Sequence, residues 1–204
     1  MKLKNNQNNL SLIILLVFFL WYLVFRSEYF NFWLRLTSVV FILSLIAISN
    51  LDLDLSLELK DIYLGLAFAV ILYLIFYLGR EISSLILPFS LDNIMKVYQY
   101  RQELDPIYIS LLLLFIIGPG EELFWRAYIQ EEMIDRLGLR QGYLLTALLY
   151  SLIHLWTENI ILILAALVAG LFWGALFLKY KKIVPIIISH AVWDLLVFIL
   201  FPLG

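Results

Sequence analysis

The chain has 204 residues, 64% of them hydrophobic and 16% aromatic, with a mean hydropathy of +0.96. A soluble domain is about 45–50% apolar, so this excess excludes an ordinary water-soluble globule and requires lipid over much of the surface. A net charge of −2 with no basic tail or stripe excludes a nucleic-acid-binding surface, and the absence of cysteine excludes disulfides, thiolate metal ligands and a cysteine nucleophile.

The chain starts with a polar stretch, Met1 to Asn9, that carries Lys2 and Lys4, and an apolar run follows from Leu10 to Phe25. A cleaved signal peptide needs a small-residue processing site after such a run. Trp21, Tyr22, Phe25 and Arg26 stand there instead, so the run reads as a retained first span. About 20 apolar residues cross a bilayer as a helix. By that measure spans fall near 10–25, 31–49, 62–79, 107–130, 142–156, 159–178 and 185–203. The predicted fold class is all-α, a polytopic transmembrane helix bundle of about seven spans forming one membrane domain.

Two connections stand out. Asn50 to Asp61 is acidic, and Arg80 to Pro106 is long. Within the latter, Ile94, Val97, Tyr98, Arg101 and Leu104 recur at helical spacing, as expected of an amphipathic helix on the membrane surface. With the N-terminus inside, the inner side carries Lys2, Lys4, Lys60, Arg136, Arg140, Lys179, Lys181 and Lys182. The outer side carries Arg26, Arg35, Arg80, Lys96 and Arg101. The excess favours a cytoplasmic N-terminus.

Each Asp, Lys or Arg near a helix centre costs about 2.5–3.5 kcal/mol on insertion scales. Three places in the predicted spans keep such groups. The first is Gly118-Pro119-Gly120-Glu121-Glu122-Leu123-Phe124-Trp125-Arg126. On a helix Glu122 and Arg126 share a face and can pair, whereas Glu121 is turned about 100° away. One carboxylate therefore has a partner and its neighbour does not, which separates their proton affinities. The Gly-Pro-Gly ahead of them is expected to loosen or break the helix, which is tolerated at membrane depth where backbone faces protein or water. Taken alone, the pair equally fits an interfacial cap on a helix.

The second and third places are Tyr150-Ser151-Leu152-Ile153-His154 and His190-Ala191-Val192-Trp193-Asp194. Each sets two polar groups at i and i+4 on an apolar helix, and these are the two histidines of the chain. A single buried histidine usually just finds a hydrogen-bond partner. Six such groups on three apolar helices read as a functional site. Gly170 and Gly174 form a GxxxG that helix packing explains. Trp21, Trp33, Trp156 and Trp173 fit interfacial belts and lipid-facing surface.

At these residues the sequence resembles the CPBP family of intramembrane proteases, which includes CAAX prenyl endopeptidases and bacteriocin-processing or immunity proteins. The family pattern is Glu-Glu-x-x-x-Arg, then aromatic-x-x-x-His, then His-x-x-x-Asn/Asp. Here it appears in order as Glu121-Glu122-x-x-x-Arg126, Tyr150-x-x-x-His154 and His190-x-x-x-Asp194. The resemblance covers residues 59–204 and leaves 1–58 as N-terminal spans outside it. Tyr150 stands where phenylalanine is commoner, Trp125 where phenylalanine is usual, and Ala127 where glycine is usual.

The resemblance implies an intramembrane endopeptidase acting on a membrane-associated or lipidated protein or peptide, in the plasma membrane of a prokaryote. It implies that Glu121 and His154 activate a water, with Glu121 as general base. It assigns oxyanion stabilisation to His190 with Asp194 as its orienter, and gives Arg126 the fixing of both glutamates. A zinc site of Glu121, His154 and His190 with an open position for water stays in play. The ligands lack the local His-Glu-x-x-His spacing of zinc proteases, so a metal-free glutamate mechanism is favoured and no cofactor is required. The rival readings are a non-catalytic scaffold or immunity protein that keeps the fold, and a small proton-coupled transporter. A scaffold has no need of six costly groups, and no repeated halves mark a transporter.

Overall fold

The computed structural model describes residues 2–3 and 9–204. Lys4 and most of the polar N-terminus, counted above towards orientation, lie outside the described residues. Among the described residues seven long helices form the bundle: α1 (Leu10–Arg26), α2 (Phe32–Asn50), α3 (Leu59–Ile86), then, after the short α4 (Ser90–Tyr98), α5 (Pro106–Leu137), α6 (Leu139–Leu152), α7 (Ile160–Tyr180) and α8 (Val184–Leu200). A 3₁₀ turn, Ile153–Thr157, continues α6. A two-residue antiparallel pairing joins β1 (Lys2–Leu3) to β2 (Leu51–Asp52). By length and composition α2, α3, α5 and α7 can each cross a membrane, while α1 and α8 are shorter apolar helices. The chain is an integral membrane protein built as a helical bundle.

The helix boundaries follow local chemistry. The side chains of Asn31, Asp105 and Asn159 accept hydrogen bonds from the first free amides of α2, α5 and α7. Pro106 opens α5, where its missing N–H costs nothing. Gly138, at φ 82°, separates α5 from α6.

Contacts between the helix ends divide the bundle into two faces. Arg26 pairs with Glu158, and the Phe32 N–H donates to Glu103 at 2.5 Å. At the other face Lys182 lies 2.8 Å from Glu58 and 2.6 Å from Asp61, and Lys181 lies 2.9 Å from Glu131. The successive long helices therefore alternate in direction.

α5 is central, packed on α2, α6 and α8. It runs through Gly118-Pro119-Gly120 without interruption. The loosening expected there appears as two π-helical stretches, Leu113–Ile117 and Leu123–Gln130, on either side of the α-helical Gly118–Glu122. A π-turn takes up the missing proline N–H by shifting partners, so the helix distorts and does not break. Gly118 and Gly120 serve close packing. A Cβ on Gly118 would stand 3.0 Å from the Ala191 backbone of α8, and one on Gly120 would stand 2.4 Å from Ser44 Oγ of α2.

α4 is amphipathic, as expected, but its apolar residues have a protein environment. Ile94, Val97 and Tyr98 line an internal cavity. The expected tryptophan belts differ more. Trp21, Trp33 and Trp173 are buried in the bundle, where each indole fills core volume. The lipid-facing surface is carried mainly by residues such as Leu12, Leu15, Phe19, Leu74 and Leu78.

Candidate active site

Below α4 the bundle encloses a cavity of about 440 Å³. Most of its wall is apolar, from α1, α2, α3, α7 and α8. The exceptions on the deep side are Glu121 on α5, Tyr150 and His154 on α6 and its 3₁₀ turn, and His190 and Asp194 on α8. Gly79 of α3 and Leu164 and Val168 of α7 line the same cavity and remain exposed.

The sequence-predicted residues fall into two layers. Glu121, His154, His190 and Asp194 reach the cavity wall. Glu122 and Arg126 lie behind it, fully buried. Arg126 Nε is 3.3 Å from Glu122 Oε2, an ion pair without hydrogen-bond alignment. Its guanidinium also lies over the rings of Tyr150, at 4.6 Å, and Trp173, at 5.5 Å. Aromatic faces stabilise a desolvated cation, so this charge is held from several sides.

Glu122 has a second partner. Its Oε1 accepts a hydrogen bond from His190 Nδ1 at 2.7 Å. The orienting bond assigned above to Asp194 thus belongs to Glu122. Asp194 Oδ2 stands instead 3.6 Å from His190 Nε2, on the other side of the ring. Trp173 stacks on that ring at 3.8 Å with an interplanar angle of 21°, and its indole N–H donates to Ser189 Oγ at 3.1 Å. The imidazole is fixed in position and tilt by three neighbours.

Glu121 is held differently. The Tyr150 hydroxyl donates to its Oε2 at 2.8 Å, so the fixing of this glutamate falls to a tyrosine. His154 Nδ1 lies 3.0 Å from the Tyr150 carbonyl. A carbonyl accepts only, so Nδ1 carries the proton and Nε2 is left with a lone pair. The hydroxyl and the carbonyl of one residue, Tyr150, thus hold both members of the pair expected to activate water.

Sequence reasoning gave Tyr150 no role of its own in the site and placed Trp173 outside it. The i, i+4 spacing signalled Tyr150 as part of a motif. Nothing local signalled Trp173, whose contact with His190 comes from the packing of α7 on α8. As for a metal, no three His, Asp or Glu side chains among the described residues are grouped so as to hold an ion.

Residues 103–196 match the family model described as type II CAAX prenyl endopeptidase Rce1-like. No curated protein and no solved structure matches the chain. The matched stretch contains every element of the site, from Glu121 to Asp194. Over this stretch, which carries the whole site, the chain is similar to the CAAX-type intramembrane endopeptidases of the CPBP family.

Proposed function

We propose that the chain hydrolyses a peptide bond in a membrane-associated or lipidated protein or peptide, with Glu121 as general base. The observation that carries this reading is the contrast at the cavity wall. A tyrosine-held carboxylate and a histidine with a free Nε2 share a largely apolar cavity with a second, fixed histidine. Amide hydrolysis needs a positioned base, a donor for the developing oxyanion and little bulk water. Water bound between Glu121 and His154 Nε2 gives up a proton to Glu121 as its oxygen attacks the carbonyl carbon. Glu121 then returns that proton to the leaving amine as the C–N bond breaks.

His190 Nδ1 is committed to Glu122, so the nitrogen facing the substrate is Nε2. The ring form with both nitrogens protonated donates from Nε2 to the oxyanion, with the carboxylates of Glu122 and Asp194 on its two sides. Arg126 neutralises Glu122 from behind and is a positioning residue. The chemistry uses the chain's own groups and no metal.

The apolar wall suits a substrate that arrives within the bilayer, such as an acyl- or prenyl-modified segment. For the orientation we take the plasma membrane with a cytoplasmic N-terminus. The face with Lys60, Arg136, Arg140, Lys179, Lys181 and Lys182 outweighs the face with Arg26, Arg35, Arg80, Lys96 and Arg101.

The test compares membranes carrying the wild-type chain with membranes carrying Glu121→Gln, by mass spectrometry of peptide termini. New termini in membrane-associated proteins should appear with the wild type alone. Identical terminus profiles in the two membranes would sink the peptidase reading.

A further inference from the structure

The segment after α8 makes contacts unlike those of a simple helix end. The Tyr73 hydroxyl on α3 donates to the Phe201 carbonyl at 3.1 Å. Arg80 Nε, one and a half to two turns further along α3, donates to the Leu203 carbonyl at 3.2 Å. The Leu203 N–H donates to Tyr98 Oη on α4 at 2.9 Å, and that hydroxyl itself donates to Val197 O at 2.7 Å. Leu203 forms part of the cavity wall with Val97 and Phe198. Both backbone groups of a residue outside any helix are thus satisfied by side chains from two separate elements, at the apolar cavity. Helix capping accounts for the bond to Val197, whose carbonyl lies in the last turn of α8. It does not account for the pair of bonds to Leu203. Reading one residue's N–H and C=O while its half-buried side chain lines a cavity is how a site holds an extended peptide.

We propose that Tyr73, Arg80 and Tyr98 form a peptide-backbone binding site at the mouth of the cavity, selective for a branched aliphatic residue, and that the chain's own Phe201–Leu203 occupies it in competition with substrate. The identification of the competing peptide as substrate rests on the peptidase reading. The site itself does not. Burial raises the Tyr98 hydroxyl above its ordinary pKa, so at neutral pH it keeps its proton and can donate and accept at once. Arg80 also pairs with Glu81, which leaves its Nε to the carbonyl.

The site can be probed with a fluorescent acetyl-Phe-Pro-Leu-Gly-amide peptide and the full chain in lipid nanodiscs. In the variant Leu203→Asp a carboxylate replaces the isobutyl group that lines the apolar cavity, so the segment should leave the cavity. An intramolecular competitor on a short linker acts at an effective concentration near millimolar, so the probe should bind this variant at least about tenfold more tightly than the wild type. Adding Arg80→Met and Tyr98→Phe to Leu203→Asp should abolish that gain. Equal binding to wild type and Leu203→Asp, or binding to neither, overturns the proposal. A second measurement needs no variant. Saturating probe should speed hydrogen exchange of the Leu203 amide in the wild-type chain, and unchanged exchange with probe bound would also overturn it. Neither readout depends on cleavage, so an inactive enzyme that binds the probe would count against the peptidase reading alone.

Discussion

Glu121 and Glu122 are neighbours in the chain, yet they belong to opposite sides of one wall. Behind the wall, Glu122 is 0% exposed and sits between Arg126 and His190, with Trp173 closing the space. In front, Glu121 is 8% exposed, is held through one oxygen by Tyr150, and borders the cavity with His154 and Asp194. The rear layer sets its opposite charges side by side, away from the cavity. The front layer leaves polar atoms facing space that a substrate can enter. The rear holds geometry and the front is free to react, a division in which buried charge is useful because its partners fix it.

The sharpest way to break that contrast is to remove one charge from each layer without changing size. Glu122→Gln takes away the counter-charge of a buried arginine and weakens the bond to His190. Losing one partner of a buried pair costs about 3–5 kcal/mol, so thermal unfolding in detergent should fall steeply and cleavage with it. Glu121→Gln removes the base but leaves an amide that still accepts from Tyr150, so cleavage should vanish at nearly wild-type unfolding temperature. Equal and mild effects from both changes would erase the distinction between the layers.

A smaller effect is expected from narrowing the gaps that let the rear layer close. In Gly120→Ala the new methyl would stand 2.4 Å from Ser44 Oγ and 2.5 Å from Val40 Cγ1. Overpacking of this kind costs about 1–3 kcal/mol, and α2 has to move. In Gly118→Ala the methyl meets the Ala191 backbone at 3.0 Å, a displacement of tenths of an ångström. Since α8 carries His190 and Asp194, the rate should fall more than the unfolding temperature does. A Gly118→Ala enzyme that loses stability while keeping full activity would mean that the spacing of α5 and α8 does not position His190.

How much of this was legible from the chain divides along the same wall. The apolar runs and the three i, i+4 pairs are periodic features of single helices, so they placed the spans, Glu121 and Glu122, Arg126 and the histidines on the right elements. Glu122 with Arg126 was readable because both lie on one helix face. Glu122 with His190, separated by 68 residues, was not, and the family resemblance gave the orienting role to Asp194. The tryptophans were misplaced for a related reason. An indole suits an interface and a core equally by composition, and only the packing of α7 on α8 puts Trp173 against His190.

The closed character of the rear layer continues to the charged face of the bundle, where pH offers a gentler probe. Lys182 and then Lys60 hold the Glu58 carboxyl down at about 2, against an ordinary value of 4.5. A lowered folded pKa means its contribution is complete above 4.5 and fades as the pH falls through about 2. Lys182, raised chiefly by Asp61 and then Glu58, keeps its contribution below its ordinary 10.5 and loses it only above the raised value. The start of α3 should therefore show flat amide exchange protection, after correction for intrinsic rates, from about pH 5 to 10, and weaker protection in acid. Glu58→Gln should remove the acid step, and its persistence in that variant would assign the step to another group.

The least change of all is expected from chelation, and it tests whether the front layer works as a base or as a ligand set. A zinc ion there would need three donors aimed at one point, with the histidines binding through free nitrogens. His154 could offer Nε2, since its Nδ1 is committed to the Tyr150 carbonyl. His190 could offer only Nε2 as well, because Nδ1 is bonded to Glu122, and that atom is 3.6 Å from Asp194 on α8. Glu121 has one oxygen engaged by Tyr150. These side chains do not converge as a metal site does, and Arg126 adds a fixed positive charge behind them that Glu122 offsets only in part. An enzyme purified through exhaustive chelation should therefore keep its full cleavage rate, and added zinc should not raise it. Loss of activity on chelation, recovery on adding zinc, and one bound ion per chain by elemental analysis would together replace the glutamate mechanism with a metal one.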